Sequence, residues 1–93
     1  MSLSLTAYRT KLIAKIMSAF SQDDVKRYIN TAIKSLEQHN LNGHIVTRFA
    51  ETMLDELESF NPMNKDAQQW SNIKMAGICF NQIKRKLELA SQL

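Results

Sequence analysis

At 93 residues the chain is sized for a single domain with one small core, and a domain this short buries proportionally little of its surface, so association would help it. With 44% hydrophobic residues, 2 glycines and 1 proline, the composition favours long helices joined by short connections and leaves no material for a glycine-rich phosphate loop or a dinucleotide fingerprint. The formal charge of +3 is only mildly basic and does not by itself select nucleic acid as a partner.

One cysteine, Cys79, excludes an intrachain disulfide and fits a reducing compartment. The N-terminal stretch combines basic residues with an apolar segment, but Lys15 interrupts that segment and no small-residue cleavage site follows, which argues against a signal peptide. No run of about 18 or more apolar residues occurs, so no membrane-spanning helix is expected. These features together predict a cytoplasmic protein.

The first helix is expected at about residues 5–20, capped by Ser4 or Thr6, with an apolar stripe of Leu5, Tyr8, Leu12, Ile16 and Phe20. No acid precedes Asp23, so this segment is entirely basic. Ser21 can then cap a second helix at about 22–39, Asp23 and Asp24 complement its positive end, and Phe20 can pack on Val25 as a hydrophobic staple. Its buried side is Val25, Tyr28, Ile29, Ala32, Ile33 and Leu36. At about 100° per residue this stripe is out of phase with that of the first helix, which predicts a break near Ser21 and a tight helical hairpin.

Asn40 is suited to the C-terminal cap of the second helix, with Leu41 folding back onto its last turn. A third helix at about 44–60 buries Val46, Phe49, Ala50, Met53, Leu57 and Phe60 and turns Arg48, Glu51, Asp55 and Glu58 outward. Pro62 ends it, and Asn64 is a good cap for the fourth helix, at about 65–90. There Ile73, Ala76, Phe80, Ile83, Leu87 and Ala90 form one apolar seam. Short connections favour antiparallel neighbours, so an all-α, antiparallel four-helix bundle, up-down-up-down, with a longer C-terminal fourth helix is predicted. The first three helices would span roughly 24–27 Å and the fourth about 39 Å, leaving Leu87, Leu89, Ala90 and Leu93 in an overhang.

The fourth helix carries a second stripe, Met75, Ile78, Cys79, Gln82, Leu89 and Leu93, and a helix apolar on two sides commonly has two partners. This points to a protein-interaction module, a homodimer through the fourth helix. The alternative is a nucleic-acid or ribosome-associated binder with a basic end made of Arg9, Lys11, Lys84, Arg85 and Lys86, opposite an acidic end that includes Asp55, Glu56 and Glu58. A helix-turn-helix reading fails on charge, because the third helix would bring Glu51, Asp55 and Glu58 to the phosphates.

No catalytic motif is present, and no Glu-x-x-His pair accompanies the acids of the third helix, so neither an enzyme nor a di-metal bundle is supported. His39 and His44 lack further ligands at helical spacing, Cys79 has no Cys-x-x-Cys partner, and no metal or cofactor is expected. Nothing in the sequence names a biological process.

Overall fold

The computed structural model describes residues 5–38 and 43–91, with α1 at Leu5–Ser18, α2 at Gln22–Gln38, α3 at Gly43–Glu58, a single 3₁₀ turn at Pro62–Asn64, and α4 at Ala67–Ser91. The chain is an all-α four-helix bundle, up-down-up-down, with a longer C-terminal helix. Contacts along the helices show the directions. Tyr8 near the start of α1 donates its hydroxyl to the Ala32 carbonyl oxygen late in α2, at 3.2 Å, so these two helices run antiparallel. Phe49 of α3 meets Phe80 of α4 and touches Tyr8 of α1, and Glu51 of α3 pairs with Lys84 of α4. Gln22 Nε2, at the start of α2, donates to Ser71 Oγ near the start of α4 at 3.1 Å, so α2 and α4 run parallel and begin at nearly the same level.

All four helices contribute to one core, and α4 packs on each of the other three. The expected apolar positions of α2 and α3 are buried or half-buried, while Arg48, Glu51, Asp55 and Glu58 face out. In α4 the seam of Ile73, Ala76 and Phe80 is buried. An edge-to-face chain of three rings, Tyr8 to Phe49 at 6.0 Å and Phe49 to Phe80 at 6.4 Å, joins α1, α3 and α4 across the centre.

The break between α1 and α2 is present, but α1 stops two residues earlier than its stripe suggests. The consequence falls on Phe20. It is 89% exposed and makes no staple on Val25, whereas Ala19 is buried. The cause lies in α4: the Asn72 side-chain amide, itself fully buried, donates to the carbonyl oxygens of Ile16 at 3.0 Å and Ala19 at 2.9 Å, which are among the acceptors a helix C-terminus leaves without an intrahelical partner. Held there, Ala19 takes the inward position and Phe20 turns out. Ser21 caps α2 as its sequence suggests, its Oγ accepting from the Asp24 amide at 3.2 Å.

The fourth helix begins later than Asn64. Asn64 belongs to the 3₁₀ turn, and the cap is Asp66, whose Oδ1 accepts from the Gln69 amide at 2.7 Å while Gln69 Oε1 accepts from the Asp66 amide at 3.3 Å. This reciprocal pair is a capping box. Met63 in the preceding turn is 90% exposed. The expected cap residues Ser4, Asn40 and Leu41 lie outside the described residues.

The overhang is also smaller than length alone implies. Ile83 and Leu87 are half-buried against the core, because α2 runs alongside α4 from nearly the same level and α3 reaches Lys84, in the second half of α4, through Glu51. Leu89 is 60% exposed, and Leu93 lies outside the described residues. No helix among the described residues is long and apolar enough to cross a membrane.

Candidate functional site

The second stripe of α4 lies where α4 meets α2. Met75, Ile78, Cys79 and Gln82 line a groove of about 420 Å³ between these parallel helices, closed on its other side by Lys26 and Asn30 of α2 and continued by Ile83 and Lys86. Ile78 is 51% exposed, Gln82 is exposed, and Met75 and Cys79 are half-buried. Leu89 stands further along the helix, three turns from Ile78. Four of the six residues singled out by periodicity therefore share one cleft, and a fifth extends their line. Lys26 and Asn30 escape a reading of the sequence because they belong to the polar flank of α2, and only the parallel docking of α2 on α4 brings them there.

Burial raises the Cys79 thiol above its ordinary value of 9.0, and the positive charge of Lys26 pulls it partly back. The thiol is therefore a small, half-buried apolar group in this cleft at neutral pH. Gly77, on the same helix, has open space where a Cβ would lie.

The five basic residues do not gather on one patch. Arg9 Nε sits 2.8 Å from Glu56 Oε2 of α3; both atoms are buried and pair by charge, without the alignment of a hydrogen bond. Lys84 Nζ lies 3.7 Å from Glu51 Oε1. Lys11 lines a groove between α1 and α2, Lys86 lines the α2–α4 groove, and Arg85 shares a depression on the outer side of α4 with Lys84, Glu88, Ile78 and Gln82. The axial separation of charge expected from the sequence is interrupted, since α1 and α4 each set a cation against a carboxylate of α3. No three His, Cys, Asp or Glu side chains gather as metal ligands among the described residues. His39 lies outside the described residues, and so does the side chain of His44.

Comparison of the chain with protein-family models, with curated proteins and with solved structures gave no match.

Proposed function

We propose that this protein is an interaction module that self-associates through the outer side of α4. The observation that carries the reading is the exposure of Ile78 (51%) and Leu89 (60%) on one line of a helix whose other side is already committed to the core. Met75, Cys79 and Gln82 extend this line into the α2–α4 groove. A second copy suits the surface because residues 75–82 carry no charge, so two α4 helices crossing at Ile78 bring uncharged stretches together, with Arg85 and Lys86 toward the ends of the contact. The single cysteine accords with a reducing, cytoplasmic setting, which belongs to the same proposal. It assigns no catalytic role.

Sedimentation equilibrium tests it: the native chain is a dimer at micromolar concentration, and Ile78→Glu is a monomer of unchanged helical content, since a charge in the contact has no partner. A monomeric native chain, or a variant that associates as before, overturns it. Binding of nucleic acid or the ribosome through Arg9, Lys11, Lys84, Arg85 and Lys86 has weaker support, because two of these cations already face carboxylates and the others line different surfaces.

A further inference from the structure

A second groove, of about 340 Å³, opens between α1 and α2 on a surface that takes no part in the proposed contact. Three cations line it, Lys11 and Lys15 from α1 and Arg27 from α2, and its lining includes no acid. Its floor is apolar, formed by the buried Leu12 and Ala32. The Tyr8 hydroxyl in its wall is already committed to the Ala32 carbonyl oxygen, at 3.2 Å.

Tyr28 organises the charges. Lys15 Nζ lies 5.8 Å and Arg27 Cζ 5.5 Å from the centre of its ring, so two like charges are held over one aromatic side chain. Asp24, which accepts from Arg27 Nη2 at 2.8 Å, neutralises one of them from outside the groove. Lys11 and Lys15 have no such carboxylate among the lining residues. An anion bridging the two sides of the groove meets cations that the Tyr28 ring already holds beside it, which lowers the ordering cost of binding.

We propose that this groove binds a small organic phosphate monoester with an apolar body. The phosphate is held by Lys11, Lys15 and Arg27, with the Thr31 hydroxyl of the same lining as an added donor, and the apolar body lies on Leu12 beside the Tyr28 ring. Three cations match a dianionic phosphate better than a single carboxylate, and the cavity falls in the size range of about 300–1,000 Å³ typical of small-ligand sites. The floor separates this class from inorganic phosphate, which has nothing to place on Leu12.

The test is an amide chemical-shift titration of the full chain with 1-naphthyl phosphate, with 1-naphthol and with inorganic phosphate as the two halves of that probe. The expected result is saturable binding of 1-naphthyl phosphate with shifts confined to the facing stretches of α1 and α2. Both halves bind at least about tenfold more weakly, and added salt weakens the binding. Lys11→Gln with Lys15→Gln, both exposed in the native chain, lowers affinity at least about tenfold, whereas Lys34→Gln, an exposed lysine outside the groove, leaves it unchanged. The proposal is overturned by shifts scattered over every lysine-bearing surface, by inorganic phosphate binding as tightly as the ester, by equal losses in the Lys34 variant, or by no saturable binding.

Discussion

Asn72 of α4 closes the end of α1 by donating its side-chain amide to the Ala19 carbonyl oxygen at 2.9 Å, with a second bond to the Ile16 carbonyl oxygen at 3.0 Å. Its own oxygen accepts from Gln68 Nε2 at 2.9 Å, so this fully buried amide has a partner on both sides. It is the buried polar residue of the described core, and it links two segments more than fifty positions apart. Asn72→Leu would leave the shielded Ala19 carbonyl without this donor, while the Ile16 carbonyl keeps the Ala19 amide at 3.3 Å, and should cost about 1–3 kcal/mol. Gln68→Ala takes the donor from the Asn72 oxygen but leaves the bonds to the α1 carbonyls intact, and should cost about 1 kcal/mol, less than Asn72→Leu. Urea unfolding of the two variants checks this; equal midpoints would refute the assignment.

Two phenylalanines of equal hydrophobicity should behave in opposite ways. Phe20 is 89% exposed, so Phe20→Ser should change stability by no more than about 0.5 kcal/mol. Phe80 is fully buried with its ring edge-to-face against Phe49, and Phe80→Ala should cost about 3–5 kcal/mol. Thermal unfolding distinguishes them. A large loss in the Phe20 variant would restore the staple on Val25 that the sequence suggests.

Cys79 gives a pH dependence with a definite sign. Burial raises its pKa in the folded chain above the unfolded value near 9.0, so the folded state holds the proton more tightly. Its contribution is constant below that value, and stability falls as pH rises through it. Iodoacetamide should therefore alkylate the native thiol more slowly than the urea-unfolded one at pH 7, with a rate midpoint displaced to higher pH. Lys26→Gln should move that midpoint further up, because it removes the charge that favours the thiolate. Equal native and unfolded rates at pH 7 would contradict the burial.

Most of the fold was legible along the chain because it is periodic. The stripes of α2 and α3 and the seam Ile73, Ala76 and Phe80 occupy the inner side that their spacing indicates, and the phase conflict between the first two stripes locates the break at Ser21. The Asp66 cap was legible too, since Asp66 and Gln69 stand three apart, but Asn64 is as good a cap by residue type and competes with it. The candidate site was half legible. Met75, Ile78, Cys79 and Gln82 follow from helical spacing, whereas Lys26 and Asn30, which complete the groove, do not.

The fourth helix contains the whole contrast. Its sequence by itself determined that it is long and apolar on two sides, because the repeat of apolar residues within one helix depends only on the turn angle. Tertiary structure alone decided what those sides meet. Packing against α2 and the rest of the core covered Ile83 and Leu87 and left Leu89 and Ile78 to solvent, packing against α3 set Lys84 against Glu51, and the amide of Asn72 turned Phe20 out of the core. The physical reason is that the choice of neighbour rests on contacts between distant segments, and these are selected by how all four helices pack at once.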